Sequence, residues 1–190
     1  MAFLTQEQIR KIGFKSVGKD VQISDKAVIY RPENIVIGNH VRIDDFCVLA
    51  NNIILHDYIH LALKSNLLSS PGAVIEMENY TGLGYQSLIF TASDDFTHSA
   101  FINPTLPDEY RHVTEQSVHV RKFGSIGAGS IVMPGADIEE GTTVGAMTLV
   151  MKPTKPWMCY FGSPARGVFA RDENVKNLEK QFLEKYGTDG

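Results

Sequence analysis

Residues 120–150, VRKFGSIGAGSIVMPGADIEEGTTVGAMTLV, place an aliphatic residue at every sixth position. Neither the period of a helix nor the alternation of a half-buried strand produces this spacing. A step of six is typical of a chain that turns a corner after each short strand, so that one aliphatic side chain per strand points into a narrow triangular shaft. Three such steps complete one coil. The aliphatic residues are Val120, Ile126, Val132, Ile138, Val144 and Val150.

The same step extends through most of the chain, which indicates an internal repeat. It begins at Ile23 and Ile29 and resumes after the long interruption that precedes Val120. The residue four places after each late aliphatic position is small, as a tight corner requires. The intervening members are Ile37, Ile43, Leu49, Leu55, Leu61, Leu67 and, after about four inserted residues, Met77, Leu83 and Ile89. The small corner residues are Gly124, Ser130, Ala136, Thr142 and Thr148.

The segments IGAGSI, VMPGAD, IEEGTT and VGAMTL resemble the hexapeptide repeat of the left-handed β-helix transferases. This resemblance implies a mainly β fold, a left-handed parallel β-helix. It also implies a homotrimer, in which the active sites lie between neighbouring subunits and coenzyme A follows the groove between them.

Residues that begin or end secondary-structure elements, such as helix caps and prolines, divide the sequence into three predicted segments. Residues 1–18 form a short N-terminal helix, because Thr5 and Gln8 match a capping box. Residues 19–152 form the β-helix, which a polar loop over about 90–117 interrupts; a loop of this length is usually functional or disordered. Residues 153–190 form a tail and a C-terminal helix, since the prolines after Lys152 cannot continue the coil.

Composition excludes several classes of protein. The chain has 190 residues and a formal net charge of −4, which disfavours a nucleic-acid-binding protein. No apolar run reaches the roughly 18 residues that span a bilayer, so we expect no integral membrane protein. The two cysteines are too few for a disulfide framework or a zinc site, and the start of the chain lacks the features of a signal peptide. We therefore expect a cytoplasmic protein.

The end of the β-helix carries the predicted donor site. The stretch VGAMTLVMKPTKPWMCYFGSPAR, residues 144–166, resembles the final coil and exit of the maltose and galactoside acetyltransferases. That resemblance implies acetyl-CoA as co-substrate, and the phosphates of coenzyme A need cationic partners. The single tryptophan either stacks on the adenine or covers the last coil. The predicted donor-site residues are Ala128, Ala146, Met151, Lys152, Lys155, Trp157 and Arg166.

The general base is left open between four residues. In the maltose and galactoside enzymes a histidine stands in a T-A-G-H-P motif, whereas the matching stretch here is TASDDF, which puts Asp94 in its place beside Asp95. Sequences of polysaccharide-linked transferases that resemble this one carry a Y-[IV]-H-[IL]-A motif, which favours His60. His98, inside the long loop, is the fourth candidate.

We therefore expect an acyl-CoA-dependent acetyltransferase. Its first expected acceptor is a sugar hydroxyl in lipopolysaccharide or capsule assembly, and the alternative is the amino group of a nucleotide-linked sugar. Two other classes share the fold: a zinc enzyme of the γ-carbonic anhydrase type, which His56 and His60 suggest, and a non-enzymatic β-helix scaffold. We expect no metal, because no third histidine stands at a comparable place in a coil.

Overall fold

The computed structural model describes residues 2–94, 96–97 and 100–187, and it confirms the predicted β-helix. Short parallel strands stack into three sheets that form the sides of a prism of about seven turns. The elements are, in chain order, α1 (Gln6–Ile12), β1 (Ser16–Val17), β2 (Gln22–Ile23), β3 (Val28–Tyr30), β4 (Ile35–Ile37), β5 (Arg42–Ile43), β6 (Val48–Ala50), β7 (Ile53–Leu55), β8 (His60–Leu61), β9 (Asn66–Leu68), β10 (Ile75–Met77), β11 (Gly82–Leu83), β12 (Leu88–Phe90), β13 (Ala92–Asp94), β14 (Val113–Glu115), β15 (Val118–Val120), β16 (Ser125–Ile126), β17 (Ile131–Val132), β18 (Thr143–Val144), β19 (Leu149–Val150), β20 (Met158–Phe161), β21 (Arg166–Ala170) and α2 (Val175–Tyr186).

The prism has three faces. The first face stacks β1, β4, β7, β10 and β15. The second face stacks β2, β5, β8, β11, β16, β18, β20 and β21, and only β21 runs antiparallel to its neighbour. The third face stacks β3, β6, β9, β12, β17 and β19. We name the corners by the faces that they join: corner 1/2, corner 2/3 and corner 3/1.

The aliphatic residues of the repeat form the core. From Ile37 to Val150 every one of them is at most 2% exposed. Residues 18 apart pair in register on adjacent coils, as Ile43 does with Leu61. Because the residues on either side of each inward side chain face outward, the repeat determines which residues reach the surface of each face.

The long interruption contains more structure than the sequence predicts. Residues 91–117 leave corner 3/1 after β12 and return to the first face at β15. Within them β13 and β14 pair as an antiparallel ribbon, in which Asp94 lies opposite Val113. A short 3₁₀ helix, Asp108–Tyr110, lies before the returning strand. The ribbon satisfies backbone groups that an irregular loop would leave to solvent.

The two helices close the ends of the repeat. In α1 the Thr5 hydroxyl accepts the N–H of Gln8 and the Gln8 side chain accepts the N–H of Thr5, as the capping box predicts. Ile9 of this helix is buried in the core. The helix α2 lies along corner 1/2, where Phe182 contacts the rings of Tyr58 and Tyr80. Within the described residues, no helix has the length and apolar character needed to cross a membrane.

Candidate functional site

His60 stands on the outer surface of the second face. Its neighbour Leu61 points into the shaft, so the imidazole points outward and is about half exposed. On the adjacent coils it pairs in register with Arg42 and Gly82. Because Gly82 has no side chain, a groove of about 330 Å³ opens beside the imidazole. The groove is lined by His60, Ala62, Gly82, Leu83, Gly84, Tyr85, Ser125 and Ile126.

A buried carboxylate holds this histidine, and sequence reasoning missed it. Oδ2 of Asp44 lies 2.9 Å from Nε2 of His60, and its Oδ1 accepts a hydrogen bond of 2.7 Å from Nε of Arg42. The Asp44 side chain is only 5% exposed. Burial alone would raise the pKa of this carboxyl, but the hydrogen bonds from Arg42 and His60 outweigh it and hold the pKa below its usual value. The six-residue repeat could not have predicted this contact, because it depends on the direction in which the Asp44 side chain turns.

Small residues continue the groove along corner 2/3. A Cβ at Gly84 would lie 2.6 Å from the nitrogen of Ala128, and one at Gly127 would lie 2.6 Å from the nitrogen of Ala146. The backbones of successive coils are therefore packed directly on one another at this corner. Ala128 is half-buried and Ala146 is exposed. Ala128 and Ala146, two of the predicted donor-site residues, thus lie on adjacent coils along one continuous, narrow edge.

A second pocket lies across the prism, at corner 3/1. It measures about 360 Å³ and contains Asp94, whose Oδ1 lies 3.4 Å from Nη2 of Arg111. Arg111 also pairs with Asp108, so the returning part of the insertion holds the carboxylate in place. The predicted residues Asp95 and His98 lie outside the described residues. The pocket is lined by Ser93, Asp94, Phe96, Thr97, Thr114, Met133, Pro134 and Met151.

A cationic cavity adjoins this pocket at the C-terminal end of the shaft. It measures about 350 Å³ and holds two of the predicted coenzyme ligands, Lys152 and Arg166. Met151 borders both cavities, and Lys155 is exposed nearby in the chain. The remaining lining residues are Val150, Pro153, Tyr160, Pro164 and Ala165.

Trp157 lies elsewhere, at corner 1/2. Its ring lies against Gly141, where a Cβ would approach it to 2.4 Å, and the ammonium of Lys176 sits 4.3 Å from the ring centroid. Arg171 donates to the carbonyls of Phe123 and Gly141 and so fastens the exit segment to the same corner. Both residues are engaged in covering the last coils.

The predicted site residues that border a groove or pocket therefore fall into two groups, to which Trp157 and Lys155 do not belong. His60, Ala128 and Ala146 border corner 2/3, and Asp94, Met151, Lys152 and Arg166 border corner 3/1. The third face separates the two groups within one chain. The tertiary structure adds residues that sequence reasoning did not select. Asp44 and Gly82 lie beside His60, and Arg111 lies beside Asp94.

The histidines that suggested zinc are not brought together. His56 follows a strand of the first face and contacts Glu76 at 2.8 Å, whereas His60 lies on the second face. Over residues 2–94, 96–97 and 100–187, no three histidine, cysteine or acidic side chains cluster in a way that could hold a metal ion.

Comparison with known proteins gives the family. No protein-family model matches the chain. The chain is 36% identical over 185 residues to a dTDP-4-amino-4,6-dideoxy-D-glucose acyltransferase of Escherichia coli, and the match covers 96% of this chain and 95% of the relative.

Solved structures of AntD, an N-acyltransferase from Bacillus cereus, share the whole fold. The complex of AntD with dTDP and 3-hydroxybutyryl-CoA is 40% identical, covers 98% of each chain and superposes with a TM-score of 0.95. A variant in complex with dTDP-4-amino-4,6-dideoxyglucose and coenzyme A is 41% identical, covers 96% of this chain and 97% of AntD and has a TM-score of 0.94. The chain therefore belongs to the hexapeptide-repeat family of acyl-CoA-dependent acyltransferases, as its repeat and its C-terminal exit predict.

Proposed function

We propose that this protein transfers an acyl group from acyl-CoA to the amino group of a nucleotide-linked sugar, dTDP-4-amino-4,6-dideoxyglucose. The names of the Escherichia coli relative and of AntD support an amine as acceptor. This reverses the order of the two acceptors expected from sequence, because these relatives support the amino sugar better than a sugar hydroxyl. The acyl group need not be acetyl, since AntD binds 3-hydroxybutyryl-CoA.

The observation that carries the proposal is the pair of complementary half-sites on opposite edges of the third face. Corner 2/3 offers a histidine beside a narrow edge of small residues, along which an extended pantetheine chain fits. Corner 3/1 offers a carboxylate pocket next to a cationic cavity. Together the two surfaces suit the parts of the reaction: the narrow edge suits the pantetheine chain, the cationic cavity suits the phosphates of coenzyme A, and the carboxylate pocket suits the amine.

The third face is suited to lie between two copies of the chain. Its outward side chains form an exposed apolar strip, the kind of surface that marks a protein contact. We infer a homotrimer in which corner 2/3 of one subunit meets corner 3/1 of the next, since a contact between different surfaces closes into a ring. The exposed apolar residues of the strip and its edge are Val28, Tyr30, Leu68, Ile131 and Met151.

In the proposed reaction, the sugar amine attacks the thioester carbonyl. A C–N bond forms, the C–S bond breaks, and the proton lost by nitrogen must reach the leaving sulfur. His60 is suited to carry that proton, because imidazole both accepts and releases protons near neutral pH. Asp94 is suited to orient the neutral amino group for attack, because a carboxylate accepts a hydrogen bond from the N–H of an amine. Lys152, Lys155 and Arg166 supply positive charge for the phosphates of coenzyme A.

The acceptor is tested by the release of free thiol from acyl-CoA. We expect turnover with dTDP-4-amino-4,6-dideoxyglucose and none with the matched nucleotide sugar that carries a hydroxyl in place of the amine. Acetyl-CoA and 3-hydroxybutyryl-CoA are compared in the same assay. Faster turnover of the hydroxyl analogue would overturn the proposed acceptor. It would favour a sugar hydroxyl, the acceptor first expected from the sequence.

The roles of His60 and Asp94 are tested by His60→Ala and Asp94→Asn. We expect His60→Ala to lower kcat by about 10² or more, while Asp94→Asn weakens acceptor binding as well as turnover. The fold should persist in both, because each side chain faces outward. Full activity in His60→Ala would move the base to another residue.

Mixing the two variants tests whether the site lies between subunits. When a one-to-one mixture is dissociated and reassembled, about a quarter of the sites combine an intact corner 2/3 with an intact corner 3/1. Activity should therefore reappear in the mixture. No recovery would show that both residues act within one chain.

A further inference from the structure

We propose that Asp44 is a positioning residue, which holds the imidazole of His60 in one tautomer and one orientation for proton transfer. This inference rests on the proposed function of His60. Histidine bases are commonly oriented by a third group that accepts from the other ring nitrogen. The contact between the Asp44 carboxylate and Nε2 of His60 has this geometry.

The carboxylate dictates which ring nitrogen carries the hydrogen. An ionised carboxylate only accepts hydrogen bonds, so Nε2 of His60 must be the donor across the 2.9 Å contact. In the neutral ring, Nδ1 is then the nitrogen with the lone pair that takes a proton. Without Asp44, both tautomers of the neutral ring would be accessible.

Asp44 itself is fixed more firmly than an ordinary surface partner. Its side chain is 5% exposed, whereas that of His60 is 51% exposed. Asp44 is therefore the buried member of the pair and His60 the exposed one. Arg42 holds the other carboxylate oxygen from the strand next to that of His60. Burial works against the charge, yet these two hydrogen bonds keep the pKa of Asp44 below its usual 3.8, which leaves the group ionised near neutral pH.

A second histidine–aspartate pair provides a matched control. Nδ1 of His119 lies 3.1 Å from Oδ1 of Asp137, and the same oxygen accepts the backbone N–H of His119. This pair lies on the first face, and neither member lines the grooves described above. Its loss should affect only local stability.

The tautomer is measured directly by ¹⁵N NMR of the histidine rings in the whole protein. In the unmodified protein we expect neutral His60 to be protonated on Nε2 and bare on Nδ1. The opposite tautomer would overturn the inference without any activity measurement. The assignment comes from the signals that His60→Ala removes.

Asp44→Asn then tests the consequence for turnover. Arg42 can only donate, so the amide oxygen faces Arg42 and the amide N–H groups face Nε2 of His60. We therefore expect the tautomer of His60 that is protonated on Nδ1 to gain population. The expected loss in kcat is about ten- to a hundredfold, with KM changed less than about twofold. Asp137→Asn should leave kcat and the His60 signals unchanged.

The outcomes separate this inference from the proposed function. A normal His60 tautomer and full kcat in folded Asp44→Asn would refute the positioning role. An inactive Asp44→Asn with an unchanged His60 spectrum would also refute it. If instead His60→Ala keeps full activity, the proposed base is wrong, whatever the tautomer. If Asp44→Asn does not fold, the spectrum of the unmodified protein still decides.

Discussion

Two corners of the same prism use one backbone geometry for opposite purposes. At corner 1/2 the turn residues with positive φ include His40, Tyr58, Tyr80, Phe123 and Trp157, whose rings contact one another in sequence at centroid distances of 4.6 to 6.1 Å. The helix α2 covers this stack. At corner 2/3 the equivalent turns are bordered by small residues and stay open.

The difference shows that one repeat can stabilise the fold at one corner and leave another corner open to solvent. A residue other than glycine in the left-handed region costs roughly 1–2 kcal/mol. At corner 1/2 that cost is offset by aromatic pairs, each worth about 0.5–1.5 kcal/mol beyond their burial. Corner 2/3 lacks such packing, and direct contact between coil backbones leaves a narrow edge, along which we propose that the pantetheine chain lies.

The largest effect is expected where corner 2/3 is most tightly packed. Gly127→Ala places a Cβ 2.6 Å from the nitrogen of Ala146 and 2.7 Å from the carbonyl carbon of Gly145. Backbone cannot move aside cheaply, so we expect the free energy of unfolding to fall by about 3 kcal/mol, the upper end of overpacking costs. Thermal unfolding measures this loss.

Gly82→Ala is the matched control for that prediction. Its Cβ meets nothing closer than the carbonyl oxygen of His60 at 3.3 Å. A similar loss in both variants would mean that removal of glycine, and not the close approach of the coils, accounts for the effect.

A smaller effect is expected from the aromatic corner. Tyr80→Ala removes ring contacts with Tyr58, Phe123 and Phe182 and should lower the free energy of unfolding by about 2 kcal/mol, less than for a fully buried ring. At temperatures where the variant is folded, we expect unchanged kcat. The exposed Tyr85 of corner 2/3 is the control, since Tyr85→Ala should change stability by no more than about 0.5 kcal/mol.

The smallest effect is a dependence of stability on pH near corner 1/2. Burial tends to raise the pKa of Glu78, but hydrogen bonds from the backbone of Lys122 and the side chain of Arg121 lower it below 4.5. A lowered carboxyl pKa stabilises the fold above pH 4.5, and this contribution is lost as the pH falls from there through the lowered pKa.

Glu78→Gln isolates that contribution. The variant should lose no more than about 1 kcal/mol at neutral pH, because the pair is partly exposed. Its unfolding temperature should then depend less on pH below 4.5 than that of the unmodified protein. Parallel curves for the two proteins would assign the acid sensitivity to other carboxyls, such as Asp44.

Much of the fold could be predicted because its signal is local and repeated. A step of six residues places each aliphatic side chain independently of distant contacts, and all the positions from Ile37 to Val150 are buried as expected. Ala128 and Ala146, which the resemblance to known acetyltransferases singled out, lie on one edge because they are one coil apart. The ribbon inside residues 91–117 was not predicted, because its strands pair across about twenty residues without a repeat.

By itself, therefore, the sequence determined the coil, its corners and the family, since these depend on residues a fixed step apart and, for the family, also on the contiguous exit motif FGSPAR. Only the tertiary structure decided that Asp44 turns toward His60, that Arg111 holds Asp94, and that the two half-sites lie on opposite edges of the third face. These depend on side-chain orientation and on how an insertion returns to the prism. The six-residue repeat does not predict side-chain orientation or the path of the insertion, because both result from contacts between residues at unrelated positions in the chain.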